Sequence, residues 1–555
     1  MFSYLAHRRA CYAKQQERRT RIESLPQTYH TPLTAAEKAI LTKPISEIVS
    51  SVQNGTLKPN DTVVAYGKAA LLSHAATNCL TEIMLLEAEA SAQTCNLQGP
   101  LAGMPVSLKD EISVAGFDAC IGYSAWVGIK QEDAVLVRLL RDAGAIPYVK
   151  TNVPITMLSF ECANDVFGAT TNPHSAAYVP GGSSGGEAAL IACGGSRVGV
   201  GSDGAGSVRL PSHYSGVYTI KASSGRFLKS GNTNTSVPGQ QGVAVSFSPI
   251  ARTLDDLETF WRAVMSMKPW DYDHFVLPIP WREVDLSSAK GLRWGILWDD
   301  GVVAPSPACH RALQTVVKTL EAKGHKVVTI TPPSPAEGLK LASQLLMADG
   351  AKCCTGPIRI GENNDPAMRE ALGMFRAPRI FKKFYAWYLR HIKRDALYAD
   401  LVEAWSEKTV PEYLALVVER DVYRQRWQEY WNEQDLDFIL TVPNSLPAIP
   451  HGGMKDGWKA CGYTFLFNLL DYTAGVLPIT HVDRARDELG PFKPRNEIEK
   501  GQYKMYDADK MHGLPVGVQI VGRRLQEEKV LEGLKLIERL LQEDGKGYAP
   551  FSVVE

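Results

Sequence analysis

PGGSSGGEAALIACGGSRVGVGSDGAGSVRLP, residues 180–211, carries ten glycines in one stretch. Each glycine inside a regular element costs about 0.5–1 kcal/mol relative to alanine, so so many together need a reason. Three are open: a flexible linker, a phosphate-cradling loop, or a site where backbone amides and hydroxyls crowd around a reacting atom. A linker is polar throughout, whereas residues 188–192 and 198–200 are apolar runs that predict burial. Gly199-Val-Gly-Ser-Asp-Gly204 fits GxGxxG, but a dinucleotide site wants an acidic residue about 20 positions on, and no Asp or Glu occurs between Ala205 and Leu254. A P-loop needs a lysine directly after its glycines, and the next lysine is Lys221. Gly181-Gly-Ser183-Ser-Gly185 fits the GxSxG nucleophile elbow, which follows a strand. Residues 172–180 read instead as a proline-bounded loop, and no downstream His and acid pair stands out.

Outward from this stretch the pattern alternates. GMPVSLKDEISVAG (103–116) reads as a short strand ending at Lys109. DAVLVRLLRDAGA (133–145) reads as a helix and IPYVKTN (146–152) as a strand, and the pair recurs in CHRALQTVVKTLEAKGHKVVTITPP (309–333). LDFILTVPNS (436–445) and HGLPVGVQIVG (512–522) read as buried strands. Residues 71–93 have helical spacing, and 1–70 read as helical and polar, with a capping signal at Thr34-Ala-Ala-Glu37. No fixed-period repeat or low-complexity linker occurs. The expected fold is α/β: one large domain over 71–555, a central mixed sheet covered by helices on both faces, with a helical extension over 1–70.

The 555 residues are 45% apolar and 22% charged, an ordinary globular composition. Lys+Arg and Asp+Glu both number 60, so no global field points to nucleic acid. The ten cysteines show no CxxC or Cys/His spacing, which predicts reduced thiols, no metal and a cytoplasmic setting. No apolar run reaches the ~18 residues of a membrane span. The basic start lacks the apolar core of a secretory signal, and Glu17, Glu23 and few serines disfavour a transit peptide.

Residues 180–187, then Gly201-Ser-Asp-Gly-Ala-Gly-Ser207-Val-Arg-Leu-Pro211, with Gly103-Met-Pro-Val-Ser-Leu-Lys109-Asp upstream, resemble the core of the amidase signature family in order and spacing. Further matching pieces are residues 152–157, 167–173, 463–468 and 513–519. Within the family the chain is similar to fatty acid amide hydrolases and fungal acetamidase-like enzymes. The resemblance implies an amide hydrolase with no cofactor and a Ser–Ser–Lys triad: Ser207 as nucleophile, Ser183 as proton shuttle after a cis peptide, Lys109 as base. It also implies that Gly204, Ala205, Gly206 and Ser207 offer backbone amides to the oxyanion, that Met157 contacts the acyl group, and that Ser184 is supportive. The family often has a larger apolar residue where Gly204 stands and glycine where Ala205 stands.

The chemistry is consistent with those roles. A serine hydroxyl is a poor nucleophile until a base takes its proton. An ordinary lysine, with a pKa near 10.4, is neutral in only about one molecule in 2,500 at pH 7. Burial can lower that by several units, and Lys109 lies next to a glycine-rich, largely uncharged wall. Asp110 is expected on the opposite face of the strand, while Glu111 would oppose the neutral form if it faced the lysine. A rate rising with pH as Lys109 loses its proton is the corresponding expectation. A hydroxyl between nucleophile and base can donate and accept at once, and each oxyanion donor is worth about 2.7–4 kcal/mol. Asp203 and Arg209 read as structural partners of the loop.

Residues 374–394, MFRAPRIFKKFYAWYLRHIKR, interleave seven Lys and Arg with aromatics and contain no acid. Wound as a helix, Phe381, Phe384, Tyr385, Trp387, Tyr388 and Ile392 share an arc with His391. Lys382, Lys383, Arg390, Lys393 and Arg394 gather opposite. The stretch resembles the membrane cap of fatty acid amide hydrolases; the alternative is a helix packed on the domain with snorkelling bases. Within 366–420 a membrane-facing insertion is therefore expected. The expected substrates are fatty acid primary amides or N-acylethanolamines, with small-amide hydrolysis or an inactive binding module as alternatives. The expected partners are such small-molecule or lipid amides, an intracellular membrane met peripherally, a second copy in a homodimer, and no nucleic acid.

Overall fold

Alternating apolar runs and turn residues assemble into one mixed sheet in the computed structural model, which describes residues 2–362 and 365–552. Its strands are β1 (Leu80–Ile83), β2 (Pro105–Lys109), β3 (Ile146–Thr151), β6 (Val198–Asp203), β7 (Tyr218–Lys221), β8 (Ser246–Ala251), β9 (Arg293–Ile296), β10 (Lys326–Thr329), β11 (Phe438–Thr441), β12 (Ala474–His481) and β13 (Pro515–Val521). A separate hairpin joins β4 (Ala163–Asn164) to β5 (Gly168–Ala169). The eleven strands lie in the order β1-β3-β2-β6-β8-β7-β12-β13-β11-β9-β10. β2 is parallel to both β3 and β6, whereas β6, β8, β7, β12, β13 and β11 run antiparallel in turn. Every residue of β2, β3, β6, β12 up to Ile479, and β13 is buried, as strands covered by helices must be.

The strand expected to end at Lys109 does so, and the helix–strand pairs over 133–152 and 309–333 appear as helices Val135–Asp142 and Pro307–Ala322 with β3 and β10. Thr34 and Glu37 form the expected capping box. Residues 71–93 differ from expectation. Helix Pro59–Thr77 runs across position 70 and stops at Asn78, whose backbone is left-handed; β1 follows, then helix Leu85–Ala92. Helical spacing in the sequence hid β1, a four-residue strand buried throughout. The N-terminal helix Phe2–Glu23 is tied to the body by buried Lys14, whose Nζ lies 2.5 Å from Glu82 and 3.1 Å from Asp118.

Residues 374–394 are two helices. Pro366–Arg376 ends before Ala377-Pro378, and Arg379–His391 follows. Phe381, Phe384 and Trp387 are exposed, Phe384 by 67%, and Ile380 by 79%. The face turned to the body holds Ala386, Leu389 and, contrary to the expected basic face, Lys382. Lys382 is buried because its Nζ donates to the carbonyls of Phe375 and Trp405. The aromatic arc is thus divided: Tyr385 packs on the core and against Tyr398, whereas Phe381, Phe384 and Trp387 stay outside it.

Candidate active site

The parallel pairing of β2 with β6 aligns Leu108 with Val200, which brings the end of β2 beside the end of β6. Lys109 is 0% exposed there, and its Nζ lies 2.8 Å from Ser183 Oγ and 2.8 Å from Ser202 Oγ. Ser183 sits in the loop leading into helix Gly185–Ala192 and follows a cis peptide from Gly182. The residues before it form a loop and not a strand, so the elbow geometry is absent. Buried His213, six positions after Ser207, has both ring nitrogens on backbone groups, of Leu446 and Gly517. Ser207 follows β6 and precedes helix Arg209–Ser215.

Ser183, Ser207, Gly204, Ala205, Met157 and Glu111 line one cleft. Gly206 does not: its N–H donates to Asp203 Oδ1 at 2.8 Å, so the expected set of oxyanion amides loses that member. Gly206 has φ +126°, and a Cβ there would stand 2.6 Å from Leu210, so no larger residue fits the turn. Ser184 lies behind the cleft. Its N–H donates to the Ser207 carbonyl at 3.1 Å and its hydroxyl to the Ser202 carbonyl at 3.3 Å, which ties the two serine loops together. Thr156 and Met157 both have left-handed backbones, of the kind that costs about 1–3 kcal/mol each, and the cleft wall is built on them.

Asp203 organises the glycine loop. It receives Arg209 Nη2 at 2.9 Å, Arg209 Nε at 3.0 Å, Asn468 Nδ2 at 2.9 Å and the Val208 amide at 3.2 Å. Burial opposes its charge, but the Arg209 guanidinium holds its carboxyl far below the usual range. Arg209 continues to Gln519 and the Thr464 carbonyl, while Thr464 Oγ1 donates to the Ala205 carbonyl at 2.7 Å. The separated sequence pieces around 464–468 and 519 thus meet on one loop.

Several participants were not singled out from sequence. Glu187 is fully buried, accepts from Ser107 and, at 2.6 Å, from Thr151, and burial pushes its carboxyl up to about 7. A Cβ on Gly199 would fall on that carboxyl, which explains a glycine in mid-strand. Ser202 could have been found from the β2–β6 register. Asp110 turns away as expected, toward Thr81 Oγ1 and the Ile121 amide, each at 2.7 Å. Glu111 turns back, because residues 109–112 form a turn closed by Ile112 N–H to the Lys109 carbonyl at 2.9 Å. Its Oε1 lies 3.1 Å from Lys109 Nζ, so the wall facing the lysine is not uncharged.

Beyond the serines the cleft wall, with Asn234, Ser343 and Lys459 among its polar members, is mostly apolar, formed by Leu339, Leu346, Met347, Met368, Phe375 and Trp405. Two of these, Met368 and Phe375, belong to the helix that leads into the exposed aromatic one. All ten cysteines are unpaired, and no described helix is long and apolar enough to cross a membrane.

The family model described as Amidase matches residues 61–531. An acetamidase of Aspergillus oryzae is 35% identical over 92% of this chain and 91% of its own length. Fatty-acid amide hydrolase 1 of Sus scrofa is 35% identical over 90% of this chain and 86% of its own. A solved fatty acid amide hydrolase superposes with a TM-score of 0.83 at 28% identity, covering 96% of this chain and 94% of that one.

Proposed function

Because this chain belongs to the amidase family and is a hydrolase of amide carbon–nitrogen bonds, we propose that it cleaves fatty acid primary amides or N-acylethanolamines through an acyl-enzyme on Ser207. Ser183 relays the proton and Lys109 is the base. What carries this assignment is Lys109, buried behind the cleft wall with its Nζ 2.8 Å from Ser183, a residue that lines the cleft together with Ser207. In the acylation step Ser207 Oγ bonds to the carbonyl carbon, its proton passes to Ser183, and Ser183 passes its own to Lys109. The amides of Gly204, Ala205 and Ser207 are the candidate donors to the oxyanion. Collapse breaks the carbon–nitrogen bond, and the proton returns through Ser183 to the departing amine. Water then takes the place of Ser207 on the acyl carbon.

The apolar wall beyond the serines, and its continuity through Phe375 with an exposed aromatic helix, support long acyl chains delivered from a membrane surface. Rates on primary amides from acetamide to oleamide test this: kcat/KM rising with chain length is expected, and a flat or falling series returns the protein to small amides. That second possibility draws the same support from sequence as the first, since the Aspergillus acetamidase and the Sus scrofa hydrolase are equally identical to this chain. An inactive binding module would leave Ser207 unlabelled by a fluorophosphonate. The proposed homodimer would bury Val410, Leu414, Val418 and Val422, exposed at four-residue spacing on helix Val410–Glu433.

A further inference from the structure

Lys109 Nζ has three neighbours: Ser183 Oγ and Ser202 Oγ at 2.8 Å each, and Glu111 Oε1 at 3.1 Å. An ammonium has three N–H bonds and no lone pair. Pointed at these three oxygens it is saturated, and in that form it cannot take a proton from Ser183. The same geometry supplies a place for the surplus proton. Glu111 is buried, and the oxygen that faces Lys109 also accepts from Ser202.

We propose that Glu111 is a further positioning residue of the amide-cleaving site: it takes one proton from Lys109 when substrate fills the cleft and returns it afterwards. The proposal rests on the roles given above to Ser207, Ser183 and Lys109. In the transfer, Lys109–NH3+ and Glu111–COO− become Lys109–NH2 and Glu111–COOH. One N–H bond breaks, one O–H bond forms, and the pair stays neutral overall. The freed nitrogen lone pair then accepts the proton of Ser183. Opposite charges are costly away from water, so a substrate that displaces water from the cleft favours the uncharged pair.

Among the described residues no other group facing the pair takes over this task. Glu187 is occupied by Ser107 and Thr151, and Asp110 by Thr81 and the Ile121 amide with Lys150 at 3.7 Å. Asp203 is bound to Arg209. Burial pushes the Cys162 thiol up to about 12, which leaves it neutral. Lys459, which lines the same cleft, stands over the Trp458 ring at 5.3 Å.

The pair gains and loses no proton in becoming active, so this step draws none from solvent and gives none to it. For the wild-type protein, kcat/KM on decanamide and decanoyl p-nitroanilide is expected to be flat from about pH 6.5 to 8.5, not rising as the sequence alone led one to expect. Glu111→Gln keeps the size and an acceptor for Ser202 but cannot hold the proton. Lys109 must then lose it to solvent, and the rate should climb about tenfold per pH unit. Glu111→Asp should restore a flat profile. A wild-type rate that itself climbs tenfold per unit, or a flat profile kept by Glu111→Gln, overturns the proposal. If Glu111→Gln does not fold, the wild-type profile decides in the same way. Hydrolysis surviving in Ser207→Ala would instead overturn the assignment of the nucleophile.

Discussion

Arg209 donates two hydrogen bonds to Asp203, at 2.9 and 3.0 Å, with both side chains fully buried, and five further groups lean on the pair. Removing the cation alone strands a charge in the interior. Arg209→Met is expected to cost about 3–5 kcal/mol, read as a lower denaturant midpoint, and to lower activity by loosening the loop that carries Ser207. Gly199→Ala should cost about 1–3 kcal/mol by the same measurement, since its methyl group would displace Glu187. Ser207→Ala is expected to reduce amide hydrolysis on the order of 10⁶-fold with an unchanged melting temperature, and to abolish fluorophosphonate labelling. Lost hydrolysis with labelling intact would place the nucleophile elsewhere.

At the scale of elements, helix Arg379–His391 is secured by one side, Lys382, Ala386 and Leu389, and presents Phe381, Phe384 and Trp387 outward. Replacing Phe384 and Trp387 by Ser should leave stability within about 0.5 kcal/mol, because neither side chain packs on the body. Co-sedimentation with phosphatidylcholine vesicles should fall severalfold, and unchanged binding would count against a membrane role for this helix. Its amphipathic pattern was legible from residue order. The inward turn of Lys382 was not, because it depends on the carbonyls of Phe375 and Trp405. The same division runs through the site. The strand ending at Lys109 and the loops bearing Ser183 and Ser207 could be read locally, since glycine clusters and apolar runs mark them. Ser202, Glu187 and the return of Glu111 follow from register and a turn, which no local pattern encodes. β1 was lost among helical neighbours for the same reason.

For the whole molecule, buried carboxyls and buried histidines set the response to pH in opposite senses. Burial holds His74 down to about 3 and His174 and His213 down to about 4, so their contribution grows as pH climbs from about 4 to 6.5. Burial pushes Glu187, Asp300 and Asp365 up to about 7. A raised carboxyl favours the fold while protonated, so its contribution is full below about pH 4 and drains as pH climbs through 7. Asp203 has the opposite sign: its contribution is present above about pH 3.8 and disappears as pH falls further. The histidine gain offsets much of the carboxyl loss, so the melting temperature is expected to change little between about pH 5 and 8 and to fall at pH 3 as the Asp203 contribution is lost. A calorimetric series at pH 3, 5 and 8 with its maximum at pH 3 would contradict this balance.

The crowding around Gly199 and Gly206 has a consequence for how such a protein diversifies. At those positions any added methyl group meets Glu187, or Thr464 and Leu210, at once, so these two places in the floor of the candidate site have almost no tolerated substitutes. Leu339, Met347 and Phe375, on the far wall, face open cleft and can exchange size for size. New substrate ranges should thus arise by recontouring that wall over an unchanged floor, and a directed-evolution library confined to it should retain far more active clones than one spread over residues 199–207.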